Sequence, residues 1–273
     1  MNTINDLEAQ DLHDSWSLFY FALAREVLKM DCGEDLLRSI VRAYALKIGE
    51  AELAAMRLRG LKPNLENFYL HPAHRFYDPR LLEEKQRLNE QVVLFNVVRC
   101  PFAHIARLTG NDLSAKIFCE EFTQACLAAY TNGVSQANLS ELLTETRDTH
   151  CRIAAYFRPG NSTPEQIQEC FSDWKETSHE SLCSQDASEA REIWHESAHS
   201  LFETFAEHVP QCADRGAEAA AADLAAFVQR RAVSTKNTVS RDFALAHCAP
   251  LDFTQNQSPS DKFAVAFCER LGL

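Results

Sequence analysis

The chain has 273 residues, of which 46% are hydrophobic, and a formal net charge of −12. This length suits one large domain, or one domain with a substantial extension, and the apolar content is sufficient for a core. The acidic balance disfavours binding to the phosphate backbone of a nucleic acid. No apolar run approaches the ~20 residues that a membrane-spanning helix needs, and the first residues lack the pattern of a secretory signal. We therefore expect a cytoplasmic protein with neither nucleic acid nor membrane as a partner.

The first half begins with predicted helices and continues into a predicted strand. Apolar spacing predicts helices over residues 11–30 and 34–59 that pack as a hairpin, and Gly60 is placed to end the second helix. Residues 80–89 also have the composition of a helix. The apolar, β-branched run over residues 91–98 predicts a buried strand.

Pro101 ends this strand, and the chain then alternates between helix and strand. A short helix is predicted over residues 102–108 and a longer one from Asn111 or Asp112 to about Tyr130. Residues 139–146 and Cys151–Phe157 are β-like and close enough to pair as an antiparallel hairpin. We expect one small antiparallel sheet backed by the N-terminal helices.

A linker rich in proline and glycine covers residues 158–164. Helices are predicted beyond it, over residues 163–230, 241–247 and 261–271. The sequence thus predicts an α+β fold that is predominantly helical. It has an α+β domain over residues 1–160 and an all-helical C-terminal extension over residues 161–273.

Ten cysteines occur in the chain without any CxxC pair. We expect most of these thiols to be reduced and buried, as in cytosolic proteins of this size. One of them, Cys100, lies between Arg99 and Pro101, where the predicted strand meets a helix. A thiol at a helix N-terminus beside a cation is predicted to favour the reactive thiolate. His104 lies one turn further and could exchange a proton with it. The alternative is that Cys100 is a small apolar residue in the core.

Two other segments carry groups that could act with Cys100. Cys119 is followed by Glu120 and Glu121, and a carboxylate at that point could orient or deprotonate a substrate. Asp148 and His150 precede Cys151 at the predicted hairpin turn.

These residues have ordinary interpretations as well. Asp148 could orient His150 or be a turn aspartate, and the glutamates could be solvated residues beside a core thiol. The thiols of Cys100, Cys119 and Cys151 with His150 could also form a site for a soft metal, although their spacing is scattered.

A set of motifs in fixed order over residues 15–158 resembles the L-2-amino-thiazoline-4-carboxylic acid hydrolase family. The motifs are residues 33–38, 60–61, 65–68, 99–101, 118–119 and 148–151. The resemblance implies an α+β domain akin to the small-molecule-binding domain of the four-vinyl reductase type. It also implies hydrolytic opening of a cyclic amidine.

A separate motif, HExxH, occurs in the C-terminal extension. His195, Glu196 and His199 have the spacing of a zinc peptidase helix, and Glu218 could supply a third protein ligand. Ser197 replaces the usual apolar residue after the glutamate, so an accidental match on an amphipathic helix is favoured. We expect no bound metal and no cofactor.

Our first functional hypothesis is hydrolysis of a C–N bond in a cyclic amidine or related small heterocycle. Cys100 would be the nucleophile or hold the attacking water, His104 or His150 would move the proton, and Asp148 would orient the base. The predicted substrate-binding residues are Arg75, Arg99, Cys119, Glu120, Glu121 and Cys151. Arginine suits a substrate carboxylate because its guanidinium can form two parallel hydrogen bonds. The alternatives are a non-catalytic small-molecule sensor and a metalloenzyme that uses the HExxH helix. Whether the chain forms a homo-oligomer stays open.

Overall fold

The structure is a computed structural model, and it describes residues 3–70, 72–75, 77–88, 91–145, 147–171, 185–248 and 259–272, without the side chains of residues 85–88, 161 and 259–264. The helices are α1 (Asp6–Leu28), α2 (Gly33–Leu58), α3 (Leu65–Leu70), α4 (Pro101–Thr109), α5 (Asp112–Tyr130), α6 (Pro164–Cys170), α7 (Ala187–His208), α8 (Pro210–Thr235), α9 (Arg241–His247) and α10 (Pro259–Leu271). The strands are β1 (Leu82–Leu88), β2 (Val92–Arg99), β3 (Ser135–Glu141) and β4 (Cys151–Phe157). The predicted fold class, a predominantly helical α+β protein with a small antiparallel sheet, is confirmed.

Helix α1 lies at the centre of the helical part. It starts at Asn5, whose side chain accepts a hydrogen bond from the N–H of Glu8 at 3.0 Å. Nearly every residue from Ala9 to Val27 is buried, so the helix has no broad polar face. A helix that is buried on nearly all sides belongs to the interior of a core. Helices α2, α4, α7 and α8 all pack against it.

The helices after residue 163 share this core. Helix α8 carries a stripe of small residues against α1, and a Cβ at Gly216 would lie 2.9 Å from the Cα of Leu23. The two helix backbones therefore approach each other too closely for any larger residue at this point. No helix in the described part of the chain is long and apolar enough to cross a membrane.

The sheet has the strand order β1-β2-β4-β3, and all neighbours are antiparallel. Along β2 every second residue is buried, with Val93, Phe95 and Val97 on the inner face. The buried set behind this face comes from α2, α3, α5 and α6; it includes Leu53, Met56, Leu65, Leu127, Tyr130 and Cys170. The predicted strand over residues 91–98 is thus confirmed, but only one of its faces is fully buried.

Three predicted elements need correction. The segment over residues 80–89 was expected to be helical, yet Leu82–Leu88 forms strand β1 beside β2. The first strand of the hairpin lies earlier than expected, at Ser135–Glu141. The continuous helix expected over residues 163–230 is instead divided among α6, α7 and α8, and residues 172–184 lie outside the described residues.

Candidate functional site

Three thiols from three different elements meet at one edge of the sheet. Cys100 follows the last residue of β2 and is the N-cap residue of α4, Cys119 lies on α5, and Cys151 opens β4 directly opposite Val97. Cys100 and Cys119 contact both the helical core around α1 and the core behind the sheet. The proximity of Cys100 and Cys151 raises the pKa of Cys119, after the larger effect of desolvation. The three cysteines therefore lie close together.

The thiols of Cys100 and Cys119 are largely shielded from solvent. Cys100 and Cys119 are half-buried, so each retains some solvent-accessible surface. Even so, desolvation is the largest influence on the pKa of each thiol and raises both. Both thiols are therefore desolvated although their residues keep some exposure.

The direction of the Cys100 pKa contradicts the expected thiolate. Desolvation has the largest effect and raises the pKa of the Cys100 thiol. The N–H groups of Ala103 and Phe102 lower this pKa by less, and the carboxylates of Asp78 and Glu83 raise it further. Desolvation likewise raises the pKa of Cys151 to about 11, although its Sγ accepts the N–H of Leu143 at 3.1 Å. The thiols at this site are consequently neutral at neutral pH.

An ion pair lies beside the thiols on the inner face of the sheet. Glu83 of β1 is opposite Val97, which is itself opposite Cys151, so the three form one row across the sheet. The Glu83 carboxylate accepts a hydrogen bond from Arg75 Nη2 at 2.7 Å. Desolvation is the main reason that the pKa of Tyr69 is raised; the charge of Arg75 lowers this pKa and that of Glu83 raises it, so Tyr69 lies near both partners. Its ring packs edge-on against Phe95, with 5.2 Å between ring centroids. We call the group of Tyr69, Arg75, Glu83, Cys100, Cys119 and Cys151 the thiol recess.

A buried carboxylate holds the loop that carries Arg75. Glu52 of α2 is 4% exposed and accepts hydrogen bonds from the N–H groups of Ala73 at 2.9 Å and His74 at 2.6 Å. His74 Nδ1 lies 3.2 Å from the same carboxylate, which raises the pKa of His74. Arg75 follows directly, so its backbone position depends on Glu52.

The two glutamates beside Cys119 bind arginines of the neighbouring helix. Arg38 donates to Glu120 at 2.7 Å and to Glu121 at 3.1 Å. Arg42 donates two hydrogen bonds to Glu121, at 3.0 and 2.6 Å. These contacts join α2 to α5, so both carboxylates already have arginine partners that hold the two helices together.

The remaining predicted residues lie outside the thiol recess. His104 and Arg99 are exposed. Asp148 accepts the N–H of Leu142 at 2.8 Å, the contact of a turn aspartate. His150 Nε2 lies 2.8 Å from Glu141. Within the described residues no hydrogen bond or ion pair joins the side chains of Asp148 and His150, so the proposed orienting contact is not formed.

Sequence reasoning missed Glu83 and Tyr69. Glu83 was assigned to a helix because Leu82–Leu88 consists of good helix formers. The alternation of an exposed Leu82, a half-buried Glu83 and an exposed Glu84 appears only once the strand is paired. Tyr69 gave no signal in the sequence beyond its aromatic ring.

Neither the cysteines with His150 nor the HExxH helix forms a metal-ligand group in the described part of the chain. In the described part of the chain, one group of three or more candidate ligands has its atoms within 4.8 Å of one another, namely His13, Asp14 and Asp78. Arg80 already donates hydrogen bonds to both of these aspartates, each at 2.6 Å, so a guanidinium offsets part of the negative charge of the cluster. The thiols with His150 do not form such a group among the described residues.

The HExxH helix does not assemble a ligand set within the described residues. His199 Nε2 lies 3.1 Å from Glu203 on the same helix, and Glu196 is exposed. Glu218 is exposed on α8 and does not form a group with His195 and His199. Trp194, in contrast, is fully buried and donates to Ser15 Oγ at 2.9 Å. This face of α7 therefore serves packing.

Comparisons with protein-family models, with curated proteins and with solved structures found no match.

Proposed function

We propose that the chain is a hydrolase that opens a cyclic amidine or a related small heterocycle at a C–N bond, with Cys100 as the nucleophile. The observation that carries this proposal is the convergence of Cys100, Cys119 and Cys151 beside the Arg75–Glu83 ion pair. The family resemblance over residues 15–158 supports the same reaction and stays part of the proposal. The nine described cysteines are free thiols, which suits a reducing compartment, and we extend the proposal to the cytoplasm.

The chemistry starts from a neutral thiol, because the pKa of Cys100 is raised. An amidine carries a basic nitrogen that can take the thiol proton while sulfur bonds to the amidine carbon. The ring C–N bond then breaks, and a proton moves from the exocyclic amino nitrogen to the leaving nitrogen. Water adds to the resulting thioimidate carbon, the C–S bond breaks, and the proton returns to sulfur. The net reaction consumes one water molecule and needs no side-chain base.

Two features of the protein favour this sequence of steps. The N–H groups of Phe102 and Ala103 lower the pKa of Cys100 and so stabilise negative charge on sulfur as its proton leaves. Arg75 offers a guanidinium fork to a carboxylate on the substrate. His104 and His150, which we expected to move the proton, have no part in this version.

The test is turnover of L-2-amino-thiazoline-4-carboxylate by the purified chain and two variants. Cys100→Ser should lower kcat/KM by at least ~100-fold, because a serine hydroxyl is a far weaker nucleophile at neutral pH. Cys170→Ser is the matched control, since Cys170 is a buried free thiol on α6, outside the thiol recess. Equal activity of the two variants would exclude covalent catalysis by Cys100.

A second candidate function is non-catalytic binding of a small molecule in the thiol recess. The specific observation in its favour is that desolvation raises the pKa of all three thiols, which leaves them weakly nucleophilic. A ligand that protects Cys100 from alkylation without being turned over would support this candidate. Turnover that is lost in Cys100→Ser would exclude it.

A further inference from the structure

We propose that Met30 and Cys212 form a binding site for a soft monovalent cation, Cu(I), where the end of α1 meets the start of α8. The proposal is independent of the hydrolase function, because neither residue belongs to the thiol recess. It gives a role to a buried thiol that the proposed reaction does not use.

Two sulfur atoms from distant parts of the chain are in direct contact at this point. Met30 lies in the turn between α1 and α2, and Cys212 is the third residue of α8. The Cys212 thiol donates to Met30 Sδ, with 3.2 Å between the two sulfurs. The two residues are 182 positions apart, so the fold brings this pair together.

The chemistry of the two sulfurs selects the metal. A thiolate and a thioether are soft ligands, and this combination favours Cu(I). One proton lies between the sulfurs in the present contact, and Cu(I) carries the same charge as that proton. Binding would release the proton to solvent and replace the S–H···S contact by S–Cu–S. The charge of the site would therefore stay the same.

The oxygen atoms beside the pair already have partners. The buried carboxylate of Glu26 forms an ion pair with Lys29 and accepts a hydrogen bond from Arg215 Nε at 3.1 Å. A hard cation such as Mg²⁺ prefers oxygen ligands and would have to displace both of these cations. Zinc sites are built from thiolate, imidazole and carboxylate groups, and a thioether is not among them. The site consequently favours Cu(I) over Mg²⁺ and Zn²⁺.

Arg215 also holds the thiol in position. Its Nη2 donates to Cys212 Sγ, with 3.2 Å between the two atoms. A hydrogen-bond donor on a ligating sulfur orients it and offsets part of its charge. Met30 is 41% exposed whereas Cys212 is 3% exposed, so the cation would enter from the Met30 side. The flexible side chain of Met30 can move outward and widen the gap between the sulfurs.

The test follows the methyl groups of methionine by NMR, in protein that carries ¹³C at these positions. The chain has three methionines, Met1, Met30 and Met56, so each signal can be assigned by substitution. One equivalent of Cu(I), added as its acetonitrile complex without oxygen, should shift the Met30 signal. The signal of Met56, which is fully buried behind the sheet, should stay in place.

The variant that tests the ligand is Cys212→Ser. It removes the thiol but keeps a hydroxyl that can accept the hydrogen bond of Arg215, and it should abolish the shift of Met30. Cys32→Ser is the matched control, because Cys32 is an exposed thiol only two residues after Met30. This control should shift as the unchanged chain does. A shift that persists in Cys212→Ser, or that is lost only in Cys32→Ser, would overturn the proposal.

A titration of the unchanged chain covers the case in which Cys212→Ser does not fold. One equivalent of Zn²⁺ should leave the Met30 signal in place, because a thioether is a poor ligand for zinc. Equal shifts with the two metals would contradict a site for a soft monovalent cation. A Met30 signal that does not respond to Cu(I) would exclude the site altogether.

Discussion

The contact between Glu52 and the loop that carries Arg75 gives the sharpest stability prediction. Replacing Glu52 by glutamine keeps the shape of the side chain but removes its charge and one of its two acceptor oxygens. The carboxylate accepts the N–H groups of Ala73 and His74 at 2.9 and 2.6 Å, and lies 3.2 Å from His74 Nδ1. Glu52→Gln must leave one of these N–H donors without an acceptor.

The expected magnitude follows from these contacts. A buried donor without an acceptor costs ~1–3 kcal/mol. Glutamine also has no negative charge, so the hydrogen bond that remains and the contact with the His74 ring become weaker. This adds about 1 kcal/mol, because hydrogen bonds to charged groups are stronger than those to neutral groups. We therefore expect Glu52→Gln to lower the free energy of unfolding by ~2–4 kcal/mol. For a chain of this length each kcal/mol lowers the melting temperature by ~2–4 °C.

The effect should also depend on pH in a defined direction. The Glu52 carboxylate raises the pKa of His74 above its ordinary value of 6.5. The stabilisation from charged His74 is therefore complete below pH 6.5 and is lost as the pH rises through the raised pKa. The difference between Glu52→Gln and the unchanged chain should be larger at pH 6 than at pH 9.

Urea unfolding at these two pH values measures both effects. Glu50→Gln is the control, since Glu50 is exposed on the same helix two residues away and should change stability by less than ~0.5 kcal/mol. The reasoning is refuted if Glu52→Gln is as stable as Glu50→Gln, or if its deficit does not shrink as the pH rises.

Three further predictions concern packing, thiol reactivity and metal. Gly216→Ala should destabilise the chain by ~1–2 kcal/mol in urea unfolding, because overpacking against Leu23 outweighs the better helix propensity of alanine. Gly160→Ala should be near neutral, because no atom lies within 4 Å of a Cβ placed at Gly160. Equal effects of the two substitutions would contradict the close α1–α8 contact. Alkylation of Cys100 by iodoacetamide, followed by mass spectrometry, should be slow at pH 7 and accelerate above pH 9, since its pKa is raised; rapid modification at pH 7 would contradict the neutral thiol. Elemental analysis should find less than one zinc per chain and no change in His199→Ala, whereas stoichiometric zinc lost in that variant would restore the metalloenzyme hypothesis.

The sequence was informative wherever a local pattern decides the structure. Apolar spacing located α1, α2 and α5, and Gly60 ends the turn after α2 with a positive φ of 68°. The apolar run before Pro101 located β2. Strand β1 could not be found in this way, because its residues prefer helix and only pairing with β2 makes them a strand.

Of the six residues of the thiol recess, the sequence analysis named Arg75 and the three cysteines but not Tyr69 or Glu83, and it did not predict the electrostatics. Cys100, Cys119 and Cys151 were assigned to the end of a strand, to a helix and to the start of a strand, and these elements do meet at one edge of the sheet. The pKa of Cys100 was expected to fall, because a helix N-terminus is visible in sequence and burial is not. Glu120 was expected to act on a substrate, but Arg38 lies 82 residues away in sequence and binds it. Such distant partners depend on tertiary packing that no local pattern contains.

The central position of α1 has a consequence for how the chain is made. Its partner α8 follows roughly 190 residues later, and synthesis at ~5–20 residues per second takes on the order of 10–40 s over that distance. During this interval the faces of α1 that contact α2 and α4 can be covered early, while the face around Leu23 has no native partner yet. A ribosome that pauses before residue 210 would leave that apolar face exposed for the whole pause. Synonymous codon changes that slow translation just before α8 should therefore lower the soluble yield, although they leave the protein itself unchanged.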